Sequence, residues 1–332
     1  MTDIAVLGAG SWGTTLADLL ARKGDRVRLW AYEPEVVEAI NRSAENPLFL
    51  PGMRLDRSLR AVADAREAVA GAEVIVSAPP SHAARAVLGR LGGAVREGTL
   101  VVSATKGIEN DTLALMSAVV AECLPGARTA ALSGPSFALE VFQRQPTAVV
   151  AAARDAATAR DAQRVFATAA FRVYSNEDVT GVELAGALKN VIAIAAGILE
   201  GLGMGHNPRA ALITRGLAEI TRLGVAMGAD PLTFAGLAGM GDLVLTATGG
   251  LSRNRALGVA LAQGEQFEAY RAAHRSVAEG ANTSRAGAAL GERHGVELPI
   301  IRQVCDVLFR GKPPREGVAE LMARELKSEQ WR

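Results

Sequence analysis

A doubly wound α/β sheet followed by an all-α region is the fold this sequence predicts, and three observations predict it. An apolar run, residues 4–7, empties into Gly8-Ala9-Gly10-Ser11-Trp12-Gly13 and then a helical stretch, 14–21. Up to about residue 175, short β-like runs alternate with helical ones, the pattern of a largely parallel sheet with helices on both faces. From Asp178 onward the strand signals stop and long Ala/Leu/Gly-rich helical patterns take over.

The first element carries the most information. In G-x-G-x-x-G, Gly8 makes the tight turn, Gly10 lets backbone approach a pyrophosphate, and Gly13 lets the helix pack against the strand. The helix N-terminus then offers free N–H groups and a positive dipole end. A second strand follows at 26–30. Tyr32 and Glu33 stand at its end, and Glu33 lies 20 residues beyond Gly13, where an acidic residue meets an adenosine ribose. A Rossmann-type dinucleotide-binding domain over 1–177 is therefore expected. Further strands are predicted at 74–78, 100–104, 129–132, 148–152 and 172–174, with helices at 82–91, 112–124 and 155–167. The helical domain, 178–332, is expected to carry helices at 182–199, 208–227, 231–238, 256–263, 283–294 and 300–309.

Composition narrows the function. The chain has 332 residues, enough for two substantial cores. Its net charge of +1 gives no bulk field for nucleic acid or a membrane surface. Cys123 and Cys305 sit in apolar runs in no motif and read as buried thiols of a reducing compartment. No export signal is visible, and a cytoplasmic location is expected. The most apolar run, 184–199, is interrupted by Lys189 and Asn190 and reads as too short and too polar to span a bilayer. His206, His274, Glu279 and His294 show no metal-ligand spacing, so no metal is expected.

In a doubly wound sheet, ligands bind outside the carboxyl ends of the strands. Here those ends are Pro79-Pro80-Ser81, Thr105-Lys106-Gly107 and Ser133-Gly134-Pro135-Ser136-Phe137-Ala138. Small residues and hydroxyls there leave room for a compact substrate, although Ser, Pro and Gly also simply make turns. Only five of the 36 cationic residues are lysine: Lys23, Lys106, Lys189, Lys312 and Lys327. A sequence that prefers arginine wherever a generic cation serves makes a lysine in an apolar helix informative. Lys189 has Ala185, Ile192 and Ala193 as helical neighbours. Burial must depress its pKa or supply an anionic partner, and a lysine poised near neutrality suits acid–base work at a carbonyl–alcohol pair. Downstream, Gly239-Met240-Gly241-Asp242 and Gly249-Gly250-Leu251-Ser252-Arg253-Asn254-Arg255 are glycine-rich loops. The second offers a hydroxyl, an amide and two guanidinium forks suited to phosphate; alternatively, Ser252 is a helix N-cap. Asp242 could hold a lysine or a substrate hydroxyl.

These motifs, with Asn46-Pro47, Leu50-Pro51-Gly52 and Leu188-Lys189-Asn190, closely resemble in order the bacterial NAD(P)-dependent sn-glycerol-3-phosphate dehydrogenases. The resemblance implies a helical domain of the 6-phosphogluconate-dehydrogenase type, a homodimer, and hydride transfer between NAD(P)H and dihydroxyacetone phosphate to give sn-glycerol 3-phosphate for phospholipid synthesis. It implies NAD, or NADP, as cofactor. Carried over to this chain, Ser11, Trp12, Lys106, Ala138, Arg253 and Glu279 meet the cofactor. Lys106, Gly134, Ser136, Lys189, Asp242, Ser252, Arg253 and Asn254 meet the substrate, and Lys189 moves the proton. Tyr32-Glu33 departs from the basic residues that family members often carry there, which favours NADH. Two other expectations compete: another β-hydroxyacid or ketopantoate-type reductase, and a dinucleotide-sensing regulator without chemistry.

Overall fold

The computed structural model describes residues 1–274, 278–326 and 328–329; Lys327 lies outside them. Ten strands occur among the described residues: β1 (Asp3–Leu7), β2 (Arg26–Trp30), β3 (Glu45–Asn46), β4 (Leu50–Arg54), β5 (Arg60–Val62), β6 (Val74–Ser77), β7 (Leu100–Ser103), β8 (Arg128–Ser133), β9 (Thr147–Ala152) and β10 (Phe171–Asn176). Eight of them build one sheet in the order β10-β9-β8-β7-β6-β1-β2-β5. Every neighbouring pair is parallel except β8 and β9. That reversal was not legible in the strand pattern. Between β8 and β9 the chain makes only the five-residue helix Ala138–Phe142 and a turn. It returns beside β8 without the crossover that a parallel neighbour requires.

Alternation along β1 shows how both faces are covered. Ile4 and Val6 pack with Leu16, Leu20, Val36 and Ile40 of the helices Ser11–Lys23 and Pro34–Ser43. Ala5 and Leu7 pack with Ala68, Ala84, Leu88 and Val119 on the opposite face. Strand order reverses between β1 and β6, and the glycine loop after β1 sits at that switch point, where α/β sheets bind ligands.

After β10 no strand occurs among the described residues. The helix Val179–Gly201 is capped by the Asp178 carboxylate, which accepts from Gly181 N at 2.8 Å. Its residues from Val182 to Ile198 are all buried, so it is the axis around which the helical half packs. At 23 residues it is longer than its apolar run and long enough to cross a membrane, so length does not exclude that placement as expected. Packing decides: 94% of its most apolar window is buried inside the protein. The helix Arg253–Ala262 lies backbone to backbone against it. A Cβ on Gly197 would fall 2.0 Å from the Arg255 carbonyl oxygen, and one on Gly258 would fall 2.0 Å from that of Ile194.

The two cysteines are unpaired and half-buried, less enclosed than their apolar runs suggest.

Candidate active site

The glycine loop shows why three glycines stand there. Gly8 adopts φ +103°, and a Cβ on it would lie 3.0 Å from the backbone of Ala78 and Pro79. A Cβ on Gly13 would lie 1.9 Å from the Gly8 carbonyl oxygen. At Gly10 the space is open, as a site for an approaching ligand requires. Gly10 is also the N-cap of the helix Ser11–Lys23. Trp12 is half-buried, and its indole Nε1 is buried with no partner among the described residues. The loop is braced by Asn46, a residue that sequence reasoning quoted without a role. Asn46 is fully buried in the β3–β4 hairpin and donates to the Ala9 carbonyl and to Thr14 Oγ1, both at 2.8 Å. These residues fit a dinucleotide pyrophosphate: open space at Gly10, a helix N-terminus, and an indole N–H without a partner.

At the far end of β2, Tyr32 is exposed and Glu33 is the N-cap residue of the helix Pro34–Ser43. An open cleft of about 470 Å³ lies here, lined by Trp30, Tyr32, Ala63, Asp64, Arg66 and Arg90 among others. Sequence reasoning missed Arg66, in the unassigned short helix Ala65–Val69, and Arg90, at the end of the helix expected over 82–91.

Lys106, Lys189 and Asp242 come together from three elements. Lys106 follows β7, Lys189 lies midway along the axial helix, and Asp242 opens the helix Asp242–Thr248. Asp242 bridges the lysines. Lys106 Nζ donates to Oδ2 and Lys189 Nζ to Oδ1, both at 2.7 Å. Lys106 also donates to the Gly134 carbonyl at 2.8 Å and to Ser136 Oγ at 3.3 Å. Lys189 donates to Thr246 Oγ1 at 2.6 Å; Thr246, one turn beyond Asp242, escaped sequence reasoning. Asp242 is 1% exposed and Lys189 6%. Burial pulls the Lys189 ammonium down to about 8, against the attraction of Asp242 and with help from the Lys106 charge. Burial alone would raise the Asp242 carboxyl, but the two ammonium groups outweigh it and hold the carboxyl below its usual range. Among the other described lysines, Lys23 bonds two backbone carbonyls and Lys312 a surface carboxylate.

A chain of amides leads from this cluster to the expected phosphate loop. Asn190 donates weakly to the Lys106 carbonyl at 3.4 Å and accepts from Asn254 Nδ2 at 2.9 Å. Asn254 Oδ1 accepts from Gly280 N at 3.0 Å. Ser252 is the N-cap of the helix Arg253–Ala262, its Oγ accepting from Arg255 N at 3.2 Å. Arg253 is exposed on that first turn. Arg255, expected as a second phosphate fork, is committed elsewhere: it pairs with Glu200 and donates to the Gly249 carbonyl at 3.1 Å. Glu279 binds Ser81 at the start of the helix Ser81–Gly89. Ala138 lies against the first helix, its carbonyl accepting from Thr15 Oγ1 at 3.2 Å. No cluster of three metal-ligating side chains occurs among the described residues.

Family models for the NAD-dependent glycerol-3-phosphate dehydrogenase N-terminus and C-terminus match residues 3–159 and 178–319. The chain is 56% identical over 331 residues, 99% of each chain, to a glycerol-3-phosphate dehydrogenase [NAD(P)+] of Geobacter sulfurreducens. It is 54% identical over 328 residues to one from Nitratidesulfovibrio vulgaris, covering 98% of this chain and 99% of that one. The crystal structure of glycerol-3-phosphate dehydrogenase from Coxiella burnetii superposes with a TM-score of 0.93 at 41% identity, covering 97% of this chain and 99% of that one. A ketopantoate reductase from Ralstonia eutropha shares the fold only, with a TM-score of 0.62 at 18% identity over 95% of this chain and 99% of that one. The chain belongs to the NAD-dependent glycerol-3-phosphate dehydrogenase family.

Proposed function

We propose that the chain interconverts dihydroxyacetone phosphate and sn-glycerol 3-phosphate. In this reading residues 1–177 hold a nicotinamide dinucleotide, and residues 178–332 supply the substrate pocket and the acid–base group. The observation that carries it is the Lys106–Asp242–Lys189 bridge, buried beside a helix start bearing Arg253 and Asn254. A carboxylate shared by two ammonium groups keeps both cations oriented where water cannot.

Gly8, Gly10, Ser11, Trp12 and Gly13 would hold a nicotinamide dinucleotide, which would supply a hydride in its reduced form and accept one in its oxidised form. Lys189 gives its proton to the C2 oxygen as the ketone is reduced and takes it back on oxidation. Its pKa near 8 leaves both forms accessible at physiological pH. Asp242 orients Lys189 and stabilises its charged form. Lys106, with Gly134 and Ser136, holds the substrate's oxygen-bearing end and adds positive charge where the alkoxide develops. Arg253, Asn254 and Ser252 take the phosphate. Ala138, Glu279 and Arg253 close around the dinucleotide, and Glu33 favours NADH. A cytoplasmic homodimer belongs to the same reading.

The test is NADH and NADPH oxidation with dihydroxyacetone phosphate, dihydroxyacetone and ketopantoate. A strong preference for the phosphorylated ketone is expected. Equal rates with dihydroxyacetone would remove the phosphate site, and faster turnover of ketopantoate would establish the carboxylate-reductase alternative.

A further inference from the structure

Beside the reacting groups, one pair of hydrogen bonds ties the helical half to the sheet half. Ser81 donates to Glu279 with both of its groups: backbone N to Oε1 at 3.1 Å and Oγ to Oε2 at 2.6 Å. Ser81 is 1% exposed and opens the nine-residue helix Ser81–Gly89, whose positive end suits a carboxylate. Gly107 closes the third side. A Cβ there would lie 2.5 Å from Ser81 Cβ and 3.0 Å from Glu279 Oε2, so the residue after Lys106 must be glycine for the contact to form. The segment leading to Ser81 is the one packed on the glycine loop: Ala78 and Pro79 lie against Gly8, and Thr105 Oγ1 donates to the Pro79 carbonyl at 2.7 Å. Residues 78–81 thus touch the pyrophosphate loop at one end and grip the helical half at the other.

We infer that Ser81 is a positioning residue of the dinucleotide cleft: through Glu279 it holds the helical half closed over the bound cofactor and slows its release. The inference rests on the dinucleotide-binding reading of the glycine loop. The Lys106–Asp242 and Ser117–Glu183 contacts also join the halves, but the first lies among the groups that meet the substrate and the second does not involve the segment packed on the glycine loop. Ser81–Glu279 lies outside those substrate groups; Glu279 also meets the cofactor in the proposed reading, so the Ser81 variants carry the test.

Stopped-flow displacement of NADH by excess NAD⁺, followed by NADH fluorescence, tests it. Ser81→Ala removes a charge-assisted bond and should speed NADH release about tenfold or more. KM for dihydroxyacetone phosphate should stay within about twofold, since substrate groups are untouched. Ser81→Thr, which keeps the hydroxyl, should restore slow release. Glu279→Gln should also speed release, and adding Ser81→Ala to it should add little, because Ser81 acts through Glu279. Wild-type release from Ser81→Ala, or failure of Ser81→Thr to restore it, would overturn the inference while leaving dinucleotide binding intact. A wild-type protein that binds neither NADH nor NADPH would instead overturn the cofactor reading, and this inference with it.

Discussion

Replacing Lys189 by methionine separates acid–base chemistry from packing. Lys189 is 6% exposed, and its ammonium sits 2.7 Å from Asp242 and 2.6 Å from Thr246. Methionine keeps the length and apolar stem and removes only the proton donor. Asp242 is not orphaned, because Lys106 still donates to it at 2.7 Å. The fold should therefore survive with a change in Tm of only a few degrees. General acid catalysis is worth about 10²–10⁴-fold, and kcat for reduction of dihydroxyacetone phosphate should fall by that factor. The pH profile adds a second readout. Reduction needs the ammonium, so wild-type kcat should decline as pH rises through about 8; oxidation needs the neutral amine and should rise over the same interval. Both limbs should vanish in Lys189→Met. A variant within about tenfold of wild type, or one that keeps the inflection near 8, would refute this assignment and move the proton to Lys106.

The two arginines of the 252–255 turn should part company. Arg253→Ala should raise KM for dihydroxyacetone phosphate by one to two orders of magnitude, the worth of roughly 1.5–3 kcal/mol, and scarcely touch dihydroxyacetone turnover. Arg255→Ala, which breaks the Glu200 and Gly249 contacts, should instead lower Tm and leave KM nearly unchanged; the reverse pattern would exchange their roles. Wild type should prefer NADH, and Glu33→Arg should shift the ratio of kcat/KM values toward NADPH by at least about tenfold; an unchanged ratio would remove Glu33 from cofactor choice and point to Arg66 and Arg90. Stability should fall as pH rises from about 4.3 to about 7. Burial raises the Glu183 and Glu219 carboxyls to about 7, so the folded state binds protons that the unfolded chain has already lost. Glu183→Gln should flatten that slope in urea titrations at several pH values, and an unchanged slope would contradict the assignment.

What was legible in the sequence followed from local rules. Residues 4–7 and 74–78 are apolar runs and 26–30 alternates arginine with Val and Leu, and each forms a strand within a residue or so of expectation. Lys189 stood out because a charge in an apolar helix demands an explanation, and the structure supplies both that were foreseen: a depressed pKa and an anionic partner. Contacts between distant segments were not legible. Asn46 bracing Ala9, Thr246 accepting from Lys189, and Ser81 binding Glu279 are ordinary polar residues whose roles arise only when the chain folds. Arg253 and Arg255 look equivalent in sequence. Helical geometry turns Arg255 back toward Glu200 and leaves Arg253 exposed, with its charge felt by Lys189 and Glu279. The edge strand β5 and the β3–β4 hairpin were missed because they are short and rich in Pro, Gly and Arg, with little apolar pattern.

Following the label from NADH carrying deuterium at both C4 positions tests most directly whether this site moves a hydride to a phosphorylated ketone. With dihydroxyacetone phosphate the product should be sn-glycerol 3-phosphate carrying one deuterium at C2, formed in step with NADH oxidation. Product with solvent hydrogen at C2, or NADH oxidation without labelled glycerol 3-phosphate, would contradict it.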